Sequence, residues 1–135
     1  MDRKLKHLEF IQGTINRLST NSFLLKGWSV VLVAALFALS AKDADIKFVY
    51  LALFPAVVFW GLDGYFVLME RVYRQHYNRV RTRQPDEIDF SMDTSDLTAG
   101  YREWVKAVSS KTLVVFHGVL LLSIFGVVIV QTRSR

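Results

Sequence analysis

The sequence contains no cysteine, which excludes disulfides and thiol chemistry and leaves the redox compartment unread. It also lacks the signatures of ordinary soluble enzymes. There is no glycine-rich phosphate loop, no His-x-x-x-His metal pair and no Gly-x-Ser-x-Gly elbow. The three histidines, His7, His76 and His117, are scattered along the chain. No catalytic residue, cofactor or metal centre is therefore expected. A cleavable leader is not evident either. The first long apolar run begins only near Phe23 and no small-residue cleavage pattern follows it, so that run is read as retained.

What the chain does have is apolar residues in blocks. They make up 52% of its 135 residues, and the mean hydropathy is +0.27. Both averages would fit a greasy soluble protein. Their distribution does not, because three long runs take up roughly 24–41, 46–69 and 112–130. A chain this short has little left for a water-soluble core. The expectation is an all-α membrane protein, one helical domain over residues 1–135. It has three transmembrane helices, an N-terminal amphipathic helix over 1–22 and a cytoplasmic helical extension over 70–111. The formal charge is +5. Because the basic residues flank apolar blocks, anionic lipid headgroups are the simpler partners and direct nucleic-acid binding is not expected.

Periodicity refines this plan. Leu5, Leu8, Ile11, Ile15 and Leu18 recur at steps of three and four, predicting an amphipathic helix over 3–21. It would lie on the membrane or pack on neighbouring helices. A coiled-coil seam between subunits is the alternative, though two heptads are too few to demand it. Ala34, Ala35, Ala38 and Ala41 are small enough for another helix to approach the first span closely. The short polar link from Lys42 to Asp45 makes the first two spans an antiparallel hairpin, and Pro55 is expected to bend the second. Val72, His76 and Val80, with Tyr73 and Tyr77, continue that helix as an amphipathic stem until Pro85 stops it. Residues 85–98 are acidic and read as a solvated loop, with Ser95 or Thr98 capping the next helix. That helix puts Tyr101, Trp104, Val105 and Val108 on one face.

Orientation follows from the basic residues. Residues 1–26 carry five Lys or Arg and residues 70–111 carry eight, against two in the 42–47 link and two in the tail. The N-terminus and the 70–111 segment are therefore placed inside and the C-terminus outside. A re-entrant third helix would instead leave the tail inside.

The apolar runs carry three ionisable groups at similar depth. Lys26 enters the first, Asp63 lies about 22 Å along the second and His117 about 8 Å along the third. A charge near the centre of a spanning helix costs ~2.5–3.5 kcal/mol, and less near its ends. Three at one level point to a polar layer facing the bundle interior, with Lys26–Asp63 as the ion pair and His117 as third member. It would either fix helix order or line a pore, gate or latch. Gly61 and Gly64 would permit close backbone approach beside Asp63, and Trp60 would cap the layer. Outside the runs, Arg71, Arg74, Arg79 and Arg81, with Trp104, are candidate contacts for a partner or phosphate-bearing ligand. The alternative is a stem held beside anionic headgroups. The acids of 85–98 lack the spacing of a calcium loop and are expected to pair with the arginines of 71–83.

The stretches Asn21-Ser22-Phe23-Leu24-Leu25-Lys26-Gly27-Trp28, Phe59-Trp60-Gly61-Leu62-Asp63-Gly64-Tyr65-Phe66 running into Glu70-Arg71, and Ile88-Asp89-Phe90-Ser91-Met92-Asp93-Thr94-Ser95 resemble the SLATT superfamily of small bacterial membrane effectors. The likeness covers most of the chain. A third span departs from the simplest two-span plan of that superfamily. The resemblance implies a homo-oligomer in the bacterial inner membrane. Its role would lie in anti-phage or other conflict systems, perturbing the membrane when a soluble partner protein or nucleotide signal activates it. A membrane scaffold that recruits a soluble partner through its cytoplasmic helices is the competing expectation.

Overall fold

A computed structural model describes residues 2–43, 45–97 and 100–134. Every regular element among the described residues is helical: α1 (Asp2–Asp43), α2 (Lys47–Leu51), α3 (Leu53–Arg81), α4 (Tyr101–Val108) and α5 (Lys111–Arg133), with a 3-10 turn at Pro85–Glu87. Three stretches are long and apolar enough to cross a membrane: Asp2–Lys42, Lys47–Arg81 and Lys111–Arg133.

The first finding departs from the sequence reading. The amphipathic segment and the first apolar run form one unbroken helix of 42 residues, about 63 Å long at ~1.5 Å per residue. That is twice the ~30 Å thickness of a hydrocarbon core. The N-terminal half thus continues the axis of the apolar half instead of turning to lie flat. It is held by its own chain: Leu8, Ile11 and Ile15 are buried with Val80 and Ile88, and Tyr73, Tyr77 and Met92 pack around them. Leu5, on the same predicted stripe, is exposed, because α3 ends at Arg81. The Lys4 ammonium closes that end, donating to the carbonyls of Arg81 (2.9 Å) and Arg83 (2.7 Å). A cation is favourable at a helix C-terminus.

α1 and α3 are antiparallel, and their seam is read directly from burial. On α3, Gly64, Leu68, Val72, His76 and Val80 are buried at steps of four, the first three beneath α4 and Val80 against α1. On α1, Ile15, Ser22 and Ser29 are buried seven residues apart, with Val33 and Ser40 beyond. Ser22, small and hydrogen-bonded to Asp63 across the seam, lets the two backbones approach. Ala34, Ala35, Ala38 and Ala41, expected to serve that purpose, lie on the exposed face. Ser22 and Ser29, seven residues apart, are buried in their place.

Pro55 acts as expected. It has no N–H for the Leu51 carbonyl, and the helix breaks between α2 and α3 at Ala52. Val49, Ala52, Ala56, Val33 and Ile124 form the core where α1, α2, α3 and α5 meet. At the far end of that core, Ser40 and Gln131 exchange side-chain hydrogen bonds of 3.1 and 3.0 Å, tying α1 to α5. α4 packs on the opposite side of α3, with Ala107 buried against Leu68 and Val72. Its N-cap is Gly100, without a side-chain bond. Ser95, one of two expected caps, instead donates its backbone N–H to Asp93 Oδ1; Thr98, the other, lies outside the described residues.

Candidate functional site, a buried polar knot

Lys26, Asp63 and His117, picked out from three separate apolar runs, converge. Asp63 is completely buried. Its Oδ2 accepts from Lys26 Nζ at 2.7 Å and lies 2.8 Å from His117 Nε2. Its Oδ1 accepts from the Ser22 hydroxyl, and Lys26 Nζ also donates to Ser22 Oγ at 2.8 Å. One carboxylate thus gathers donors from α1 and α5 onto α3. Burying an unpaired carboxylate is very unfavourable, whereas one with this many donors is well satisfied.

Aromatic rings seal the knot. Trp60 stacks on His117, with ring centroids 5.7 Å apart and planes 8° from parallel. Lys26 Nζ lies 6.0 Å from the centre of the Phe116 ring. His117 Nδ1 is buried with no hydrogen-bond partner among the described residues. With Nε2 against a carboxylate, the neutral ring carries its proton on Nε2 and leaves Nδ1 as an unused acceptor. In a single copy the knot lines no channel, since Asp63, Ser29 and His117 are all closed off from the surface.

α4 braces this level from outside. Trp60 donates its indole N–H to the Val108 carbonyl (3.0 Å), and Trp104 donates to the Gly61 carbonyl (3.1 Å). A Cβ at Gly64 would collide with the Val108 side chain, and one at Gly61 would touch Trp104. Both glycines therefore admit α4. Trp104, a candidate partner contact, is partly buried and spends its donor on its own chain.

The candidate arginines divide. Arg74 bonds Glu70 (2.8 Å) one turn away. Arg79 donates to His76 Nδ1 (2.7 Å) and pairs with Asp96, so one of the expected acid–arginine pairings is present. Arg71 and Arg81 are exposed.

Sequence reasoning missed three things. Ser22 sits one turn before Lys26 on the same helical face, and that spacing was the available signal. Ser40 and Gln131 carried none. The histidines, scattered in sequence, are not scattered in space. His7 and His76 meet edge to face at 5.9 Å, and Phe90 packs on His7 at 5.6 Å. His76 Nε2 donates to the Ser91 carbonyl at 2.9 Å, since its Nδ1 already accepts from Arg79. Phe90 has φ 59°, a backbone region uncommon for a bulky residue, and this bend brings its ring onto the stem. Burial, aided by His76, holds the His7 imidazole below its ordinary value near 6.5, against a smaller opposing pull from Asp89.

The chain matches no family model, no curated protein and no solved structure.

Proposed function

We propose that this chain is an inner-membrane effector of a bacterial conflict system, active as a homo-oligomer that perturbs the membrane when its cytoplasmic stem is engaged. The three apolar stretches cross the bilayer, the N-terminus and residues 70–111 lie in the cytoplasm, and the tail lies outside. The positive-inside distribution supports that orientation, and the resemblance of its Ser22–Trp28 and Phe59–Arg71 stretches to SLATT effectors supports the role. One observation carries the reading. α1 and α3 run without interruption from the stem through the level of the Asp63 knot, so a force applied to the stem reaches the place where all three spanning helices are fastened. Interfaces and packed cores tend to switch between discrete arrangements, and a knot shared by three helices is where such a switch would act. In the resting copy the knot is sealed, so membrane perturbation requires rearrangement or assembly of copies.

The test is expression of the full chain with its genomic neighbours in a bacterial host, followed by phage challenge under a potential-sensitive dye. Depolarisation and growth arrest on infection are the expected result. Protection from phage with an unchanged membrane potential would overturn the effector reading.

A second reading, a scaffold that recruits a soluble partner, is favoured by the stem tip. There Arg3, Lys6, His7, Phe10 and Phe90 line a cleft of about 290 Å³, and the Phe10 ring is 61% exposed outside the apolar runs. It predicts stable co-purification with a partner, lost in Arg81→Glu, and no change in permeability.

A further inference from the structure

α4 reaches the knot: its Trp104 and Val108 sit on Gly61 and Gly64, and Lys111 opens α5 three residues later. α1 carries Ser22 and Lys26 to the same level, just where its apolar run begins at Phe23. The inner edge of the apolar layer therefore coincides with Asp63. Residues 64–69, counted with the second span from sequence, belong to the stem, where Leu68 packs on α4. The exposed aromatic rings of Trp28 and Tyr65 fall near this edge, as interfacial aromatics do.

Arg71 follows Asp63 by eight residues, about 12 Å along α3. Helical side chains lean toward the helix N-terminus, which for α3 is toward the bilayer. Arg71 therefore reaches back into the headgroup layer, which adds roughly 5–8 Å outside each edge of the hydrocarbon. Arg81 lies ten residues further on, about 15 Å beyond, and does not reach it. Between α3 and α4 at this level is a groove of about 320 Å³ lined by Leu68, Arg71, Val72, Gln75, Glu103 and Lys106. Its floor is apolar and its rim holds two cations, one neutral amide and one carboxylate. Among the described residues neither Arg71 nor Lys106 is in an ion pair, although Glu103 shares the groove. Two unpaired cations above an apolar floor complement an anionic phosphate joined to an apolar body.

We propose that the α3–α4 groove is a binding site for an anionic phospholipid, with Arg71 and Lys106 on its phosphate and Leu68 and Val72 beneath its glycerol end. Arg supplies a planar fork and Lys a point charge, a pairing suited to phosphate. The site rests on the membrane reading above. Lipid held there would clamp α4 onto α3 beside the knot, so the charge of the inner leaflet would bear on the element that braces Asp63.

The experiment uses the full chain reconstituted in phosphatidylcholine vesicles with and without phosphatidylglycerol, then extracted in mild detergent for native mass spectrometry of retained lipid. Phosphatidylglycerol is expected to be retained in preference to phosphatidylcholine. At about 1 kcal/mol per basic residue near an anionic surface, the paired substitution R71Q/K106Q should lower that preference about thirtyfold, and R81Q should leave it unchanged. Circular dichroism and Trp104 fluorescence check that the variants keep α4 in place. An unchanged preference in R71Q/K106Q, an equal loss in R81Q, or displacement of the lipid by inorganic phosphate overturns the site. A chain that reconstitutes yet shows no lipid preference sinks the site alone; a chain that stays monodisperse in buffer without detergent sinks the membrane reading with it.

Discussion

α3 takes part in two acid–base pairs, one with α1 at the knot and one with the 88–96 segment at the stem, and the two are built differently. At the knot, Asp63 is fully buried and Lys26 is 16% exposed, with Ser22 and His117 filling the remaining valences. At the stem, the Asp96 side chain is 63% exposed and Arg79 25%. The knot's carboxylate has no access to water if its partners leave. The stem's carboxylate is already largely hydrated. The same charge pairing is therefore a structural obligation at one level and a minor contribution at the other.

The sharpest way to break that contrast is to remove each acid in turn. Asp63→Ala leaves Lys26 and His117 without their shared acceptor and is expected to cost about 3–5 kcal/mol. Asp96→Ala is expected to cost about 0–1 kcal/mol. Thermal unfolding of both variants in detergent measures the difference, and equal losses would show that the knot is as hydrated as the stem. Replacing the whole pair sharpens the point. Lys26→Met combined with Asp63→Leu should lose clearly less than the two single changes added together, because no uncompensated charge remains.

A smaller effect is expected at the next residue. Gly64→Ala puts a methyl into the Val108 side chain with the Val108 backbone close behind, so α4 must shift. Overpacking of this kind costs about 1–3 kcal/mol. Because Trp104 donates to Gly61 beside the contact, its fluorescence should move toward that of an exposed indole. An unshifted spectrum with full stability would mean that Val108 simply rotates away.

The contrast also explains what could be read from the sequence. Charges inside apolar runs are costly enough to be conspicuous, so Lys26, Asp63 and His117 stood out and their meeting could be expected from depth alone. Their partner Ser22 did not, because a hydroxyl at the edge of an apolar run carries no such penalty. The helical class and the three helices long and apolar enough to span were legible from block length, and the interruption at Ala52 from the donor that Pro55 lacks. The continuity of α1 was not. Residues 3–21 change composition at Phe23, and composition changes with the surrounding solvent even where the backbone does not turn. Likewise Val67 and Leu68 are apolar because α4 covers them, and hydropathy cannot distinguish that from lipid. The stem histidines were invisible because water tolerates a lone histidine, so neither His7 nor His76 announced a partner.

Those histidines give the smallest effect and the one most specific to the stem. His7 is 4% exposed, its Nε2 has no hydrogen-bond partner among the described residues, and His76 faces it edge-on. Its folded value is depressed, first by burial and then by His76, with Asp89 opposing. Other charged groups converge here: Arg79 from α3 and Arg83 just past its end, Arg3 and Lys6 from α1, Asp93 and Asp96 from the loop. For a base held below its unfolded value, the unfolded chain binds the proton first. The contribution of neutral His7 is therefore complete above pH about 6.5 and is lost as pH falls from there through the lower folded value. The first part to open should be the 88–96 segment, which Phe90 and the His76–Ser91 bond fasten to the stem. Limited proteolysis at pH 7.5 and 5.5, compared by the rate of cleavage between Ile88 and Asp96, should show faster cutting at the lower pH after correction for the protease's own pH dependence. His7→Phe keeps the ring and removes the proton, so it should flatten most of that dependence while leaving the Asp63 knot as stable as before. A pH effect that survives His7→Phe undiminished would assign the opening to His76 and the Arg79–Asp96 pair.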